Sequence, residues 1–256
     1  MSGEEKNRHP YIVSDHTAAL KQFTRARIAL GRTGTSVPHK EALAFKLAHA
    51  AARDAVFSML DVNALHDELK PAGLPVMHLK SKAADRDQYL QRPDLGREPD
   101  ERSVALVKAY GCDSCDVCII LADGLSSEAV NRHAPALVRL LVNRLAQAGF
   151  TLGPLIIAEQ ARVAFADPVG QLLGAGLSLI LIGERPGLSS PQSMGAYITY
   201  RPMRGLTDEG RNCVSNIHPA GLSIGQAAEK IAYLVRESLR RKVSGIALKD
   251  ETGLLP

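Results

Sequence analysis

Three short apolar runs constrain this chain more than any other feature: DVCIILA at 116–122, LIIA at 155–158 and LSLILI at 177–182. They do not alternate apolar with polar residues, so each reads as a strand buried on both faces. Stretches with helical spacing separate them, and strands alternating with helices argue for a parallel sheet with helices on both faces. A fourth strand is expected at Ala196–Tyr200. The expected class is therefore α/β: a Rossmann-like, mostly parallel sheet. The composition upstream of residue 100 differs, with charged and apolar residues mixed at helical spacing, and reads as a smaller helical domain over 1–100 before the sheet domain at 101–256.

The helices can be placed from their ends. Ser223 with Gln226 forms a capping box, and Ile224, Ala228, Ile231, Val235 and Leu239 follow at helical spacing. Arg240, Arg241 and Lys242 then fall in the last turn, where cations complement the helix dipole, so this basic run reads as a helix terminus. Asp167-Pro168 is expected to cap a short helix ending at Gly174, and Ser190-Pro191 to start another. A helix from Ser126 is expected to break at Pro135 and resume to Ala148. Upstream, Ser36 and Pro38 open a helix whose stripe is Phe45, His49, Ala52, Val56 and Met59, widened by Leu43, Leu47 and Ala50. On it, His49, Arg53 and Asp54 read as interhelical packing. Pro71 and Gly73 end the next helix, and the polar QRPDLGREPDERS at 91–103 reads as a linker.

Composition narrows function. Thirty-one basic and 27 acidic residues give a net charge of +4 spread along the chain. With no Trp and 4% aromatics, base-stacking platforms and a nucleic-acid role are not expected. No apolar run approaches the roughly 18–20 residues a membrane span needs, and MSGEEKNRHPY has no signal-peptide core. Cys112, Cys115 and Cys118 are crowded rather than spread as a secreted disulfide framework. The chain is read as soluble and intracellular.

Motifs for chemistry are mostly missing. No G-x-G-x-x-G and no G-x-x-x-x-G-K-[ST] occurs. The three spaced cysteines lack the fourth ligand of an iron–sulfur motif, and Cys118 falls inside an expected buried strand, so a metal site is not expected. Cys213 has no base nearby in sequence, and packing is its default role. None of the eight histidines is in an H-E-x-x-H pattern; His133 and His218 read as loop-positioning residues. Gly221-Leu222-Ser223-Ile224-Gly225 matches the nucleophile elbow G-x-S-x-G, but IHPA at 217–220 is no buried strand leading into it, and Ser223 already caps a helix. What remains is topology. Open α/β sheets bind ligands beyond the carboxyl ends of their strands, which here carry DGLSS (123–127), EQARVAF (159–165) and GERPGLSS (183–190). In the last, Pro186 and two glycines force a tight turn that holds Glu184 at the rim, although read alone GERPG is equally a turn with a surface ion pair.

The ordered set ADGLSSEAV (122–130), ARVAFADPVGQLLGA (161–175), LIGERPGLSSPQSMGAY (181–197), RNCVSNIHPAGLS (211–223) and SGIALKD (244–250) strongly resembles the small subunit of ethanolamine ammonia-lyase. FTRARIALGRTGTS (23–36), LAHAAARDAV (47–56) and RPDLGRE (92–98) are similar to the same subunit, so the resemblance covers nearly the whole chain. It implies a subunit, inactive alone, of an adenosylcobalamin-dependent lyase that converts ethanolamine to acetaldehyde and ammonia. The implied partner is a large TIM-barrel subunit that holds substrate, with cobalamin covered at the interface. The resemblance carries cobalamin contacts to Val163, Glu184 and Cys213, with Arg162 and Asn216 as secondary candidates, and no catalytic residue to this chain. The absence of an Asp-x-His-x-x-Gly motif matches cobalamin enzymes that keep the cofactor's own base as lower cobalt ligand. A cytoplasmic location is implied, with a bacterial microcompartment as the variant seen in parts of the family. CDSCDVC (112–118) is unusually cysteine-rich for the segment. The rival reading is a stand-alone Rossmann-like protein that binds another cofactor, supported by topology alone.

Overall fold

The computed structural model describes residues 11–24, 26–111 and 114–250. In chain order its elements are α1 (His39–Phe57), α2 (Val62–Leu69), β1 (Val76–Lys80), α3 (Arg86–Gln91), α4 (Glu101–Tyr110), β2 (Cys115–Ala122) and α5 (Ser127–Gln147). There follow β3 (Leu152–Glu159), α6 (Ala166–Leu172), β4 (Ala175–Gly183), β5 (Met194–Tyr200), β6 (Arg211–Ile217) and α7 (Ile224–Arg241).

The strands form a six-stranded sheet in the order β1-β3-β2-β4-β5-β6. The pairings among β1, β3, β2 and β4 are parallel, and β5 runs antiparallel to both β4 and β6. The sheet is thus mixed but mostly parallel. The three apolar runs are its central strands, and Ile119, Ile120, Leu121, Ile156, Ile157, Leu179 and Ile180 are all buried. Side chains alternate between two cores. Leu65 and Leu69 of α2, the apolar face of α5 and Ala228, Ile231 and Val235 of α7 close one face. Val107 of α4 with Phe165, Ala166 and Val169 beside and within α6 closes the other. Helices therefore cover both faces, as the continuous apolar runs require.

Several expectations change. β1 lies at 76–80, inside the stretch expected to be wholly helical, and it forms the outer edge of the sheet beside β3. The 91–103 segment is no free linker. Lys82 N–H donates to the Glu98 carbonyl, Asp100 N–H donates to the Lys80 carbonyl, and the Asp100 carboxylate caps α4 by accepting from Ser103 N–H at 2.7 Å. Its polar residues cap and stitch, which composition alone does not distinguish from solvation. The helix expected to break at Pro135 is one continuous α5, because Ala134, Leu137, Val138 and Leu141 around the proline are buried against the sheet and outweigh the lost hydrogen bond. No helix starts at Ser190; that residue and Gly187 exchange backbone hydrogen bonds in a turn. Ser36 does not cap α1 but exchanges backbone hydrogen bonds with Thr33, and Pro38 is the cap residue. Asp167 lies in the first turn of α6 rather than before it. The capping box of α7 forms as read, with Ser223 Oγ accepting from Gln226 N–H. His133 sits on α5 rather than in a loop, with its Nε2 buried and unpartnered. Only Ala55 of α1 is buried; Leu43, Phe45, Leu47 and Met59 stand exposed, as do His49, Arg53 and Asp54.

Candidate functional site

The carboxyl ends of β2, β3 and β4 lie side by side, and their loops meet at one edge of the sheet. The first weld is backbone on backbone: Leu125 N–H donates to the Gly183 carbonyl at 2.9 Å. A Cβ on Gly183 would overlap the Ser126 and Asp123 carbonyls, and Gly124, at φ +55°, faces Gly183 just as closely. Only residues without side chains allow this approach, and it fixes Glu184 one residue beyond the weld.

The second weld is Asp123, which is 2% exposed. Its carboxylate accepts from the N–H groups of Gln160 at 2.8 Å, Ala161 at 3.0 Å and Gly124 at 2.9 Å, so the β2 end holds the loop after β3. Gln160 is held at φ +54° there. Burial pushes the Asp123 carboxyl up to about 6, against the pull of these N–H groups and of the Arg86 guanidinium 3.6 Å away.

From this frame the carried-over residues project. Arg162 N–H donates to the Gly96 carbonyl at 2.8 Å, its Nη2 donates to the Tyr89 carbonyl at 3.0 Å, and its guanidinium lies 4.1 Å from the Tyr89 ring centroid. Its Nε is buried and has no partner. Val163 opens a single 3-10 turn and stands half-buried. Tyr89 is fully buried and donates its hydroxyl to the Ala161 carbonyl. The Glu184 carboxylate accepts from Ser193 Oγ and, at 3.3 Å to each oxygen, from Asn216 N–H. Asn216 stands at φ +62°, and its Oδ1 lies 2.8 Å from His218 Nε2. Cys213 pairs with Tyr197 across the β5–β6 ladder, and their side chains hydrogen-bond. Burial and then the Glu184 charge push the Cys213 thiol up against that hydrogen bond. The raised thiol makes Cys213 a poor nucleophile, but it stands exposed on the free chain rather than packed in the core as its default role required.

Arg162, Val163 and Glu184 line one cavity of ≈390 Å³ together with Tyr89, Gly124 and Tyr197. A second cavity of ≈640 Å³ shares Arg162, Val163 and Tyr197 and runs toward Arg97 and Arg204. Cys213 and Asn216 line a separate groove on the β6 side, and they touch residues of the first cavity where Cys213 pairs with Tyr197 and Asn216 N–H donates to Glu184. The structure thus brings Arg162, Val163 and Glu184 to one cavity, with Asn216 bonded to Glu184 and Cys213 part-way along β6 in the neighbouring groove. It also reveals what motif reading missed: Asp123, Arg86, Tyr89, Tyr197 and Ser193. An Asp-Gly pair at the end of a buried run was the one local signal for Asp123; the others depend on long-range packing.

Other candidates resolve. β6 ends at Ile217 and a turn intervenes before Ser223, so no strand leads into the G-x-S-x-G string. Cys115 and Cys118 are buried in β2 and pack in the same layer; Cys112 lies outside the described residues. Among the described residues no three His, Cys, Asp or Glu side chains converge as a metal nest, and no helix is long and apolar enough to cross a membrane.

Residues 14–249 match the family model for the ethanolamine ammonia-lyase light chain (EutC). The ethanolamine ammonia-lyase small subunit of Pseudomonas putida W619 is 52% identical over 91% of this chain and 87% of its own length. That of Bradyrhizobium diazoefficiens USDA 110 is 51% identical over 95% and 94%, and that of Pseudomonas aeruginosa PAO1 54% identical over 91% and 86%. With one unbroken match across nearly all of the described residues, the chain belongs to the ethanolamine ammonia-lyase light-chain family.

Proposed function

We propose that this chain is the small subunit of an ethanolamine ammonia-lyase and that its Rossmann-like sheet domain forms one wall of an adenosylcobalamin site completed by a large TIM-barrel subunit. The carrying observation is the convergence of Arg162, Val163 and Glu184 on one solvent-open cavity at the carboxyl edge, with Cys213 and Asn216 beside it. The donor set fits a corrin rimmed by amide side chains. The Arg162 Nε is a buried donor this chain leaves unpaired, and the Glu184 carboxylate keeps lone pairs beyond those used by Ser193 and Asn216. At about 390 Å³ and open on one side, the cavity grips an edge of so large a ligand and leaves the rest to a partner.

Bound there, adenosylcobalamin supplies the radical chemistry, generated at its cobalt–carbon bond, that turns ethanolamine into acetaldehyde and ammonia. This chain's residues bind and orient. Glu184 accepts hydrogen bonds from amide N–H groups, and Arg162 donates one. Val163 offers an apolar wall and a backbone carbonyl, and the neutral Cys213 thiol packs at the rim. The segment before the sheet, led by α1, docks on the large subunit: Leu43, Phe45, Leu47 and Met59 of its periodic apolar set find no cover within the described residues. The assembled enzyme works in the cytoplasm.

The test uses the two subunits purified as a complex and titrated with cobalamin by absorbance. Glu184→Ala is expected to weaken binding about 10- to 100-fold, the loss of a hydrogen bond to a charged acceptor. A wild-type dissociation constant in that variant contradicts the assignment. Tight nucleotide binding by the single chain, with no cobalamin binding in the complex, favours the stand-alone reading.

A further inference from the structure

We infer that Arg86 is a positioning residue that clasps the end of α1 to the two loops forming the cavity floor, so that the seating of α1 and the shape of the cofactor wall are set together. The inference rests on the proposed function for the identity of the ligand, but the clasp itself rests on geometry.

Arg86 opens α3, and its side chain is 14% exposed. Its Nε donates to the Val56 carbonyl at 2.8 Å. That carbonyl belongs to the last turn of α1, where no intrahelical N–H remains to meet it. Its Nη1 donates to the Gly124 carbonyl at 2.8 Å, reaches Gln160 Oε1 at 3.5 Å and faces Asp123 Oδ2 at 3.6 Å. The guanidinium lies 4.8 Å from the Tyr89 ring centroid, and Arg162 meets the same ring. One planar fork therefore touches a helix end, the loop after β2 and the loop after β3. Gly124 packs directly on Gly183 and its neighbour Leu125 is bonded to the Gly183 carbonyl, so a pull on the Gly124 carbonyl is passed to Glu184; Asp123 holds Gln160 and Ala161, so the same clasp reaches Arg162 and Val163. Because packed backbones have no slack, this linkage acts by position rather than by contact with ligand. The Arg86 Nη2 is buried without a partner, a cost that folding of this chain alone does not explain.

Lysine keeps the charge but cannot span three acceptors from one plane. The test compares Arg86→Gln and Arg86→Lys in the two-subunit complex, reading cobalamin affinity by absorbance and amide hydrogen exchange at 123–127 and 160–165. Arg86→Gln is expected to lose about tenfold in affinity and to exchange faster in both loops, with Arg86→Lys between it and wild type. Wild-type affinity in Arg86→Gln, or lost affinity with unchanged exchange in the loops, overturns the inference. Should Arg86→Gln fail to fold, Arg86→Lys carries the same two readouts against the same criteria. If the wild-type complex binds no cobalamin, the functional proposal fails instead, and exchange at the two loops still decides whether Arg86 holds them.

Discussion

Asp167 and Arg211 meet through two hydrogen bonds of 2.6 Å, carboxylate to guanidinium, with neither side chain more than 2% exposed. Arg211 also donates to Thr199 Oγ1, to the Leu206 carbonyl and, through Nε at 3.3 Å, to the exposed Asp208 carboxylate, so the pair binds the first turn of α6 to the start of β6. A buried pair adds little over well-packed apolar groups, but removing Asp167 leaves the buried Arg211 with only the exposed Asp208 as counter-charge. Asp167→Ala is expected to lower unfolding free energy by about 3–5 kcal/mol in denaturant titrations. A loss below about 1 kcal/mol would mean that water reaches Arg211 and the pair is not dry.

Asp123 sets a pH dependence. Its carboxyl is pushed from 3.8 to about 6 by burial, so the folded chain holds this proton more tightly than the unfolded chain does. The resulting stabilisation is fully present below the unfolded value and is lost as pH rises through the folded one. Between pH 4 and 6 the wild-type chain is expected to lose stability, by on the order of 3 kcal/mol, relative to an Asp123→Asn variant. Parallel pH profiles of the two unfolding free energies would contradict this. The variant is also expected to be less stable at every pH, since both Asp123 oxygens accept from N–H groups and an amide nitrogen cannot.

Gly183→Ala tests the weld beneath Glu184. The added Cβ meets the Ser126 and Asp123 carbonyls, which are backbone atoms with nowhere to go. A loss of about 1–3 kcal/mol or more in chemical unfolding is expected, with a weaker cobalamin site in whatever complex folds. An unchanged midpoint would show the two loops to be less tightly joined than the geometry implies.

The face of α1 separates docking from folding. Leu47 is 73% exposed, and Leu47→Glu is expected to change the single chain's stability by no more than about 0.5 kcal/mol. The same substitution is expected to weaken association with the large subunit, measured by co-purification and sedimentation of the mixed subunits. Intact association would move the docking surface away from α1.

How much of this was legible depends on whether a signal is local. β2, β3 and β4 announce themselves because burial on both faces demands unbroken apolar runs, and α7 does so through its capping box. β1 and β6 do not. Each is an edge strand, and His78 and Lys80 in one, Asn212, Ser215 and Asn216 in the other, erase the apolar pattern. The stripe on α1 was readable as a period but not as an exposed face, since periodicity does not say what lies opposite. At the site, topology picked out the three loops, and family resemblance picked out Val163, Glu184, Cys213, Arg162 and Asn216. Asp123 and Arg86 escaped because their partners lie 38 residues away in sequence, at Arg86–Gly124 and Asp123–Ala161.

The most direct measurement is a structure of the two-subunit complex with cobalamin bound. The corrin edge is expected against Val163 and Glu184, with the Arg162 Nε donating to an acceptor of the cofactor and Cys213 packed at the rim. A corrin lodged wholly within the large subunit, or at the opposite edge of the sheet, contradicts the account.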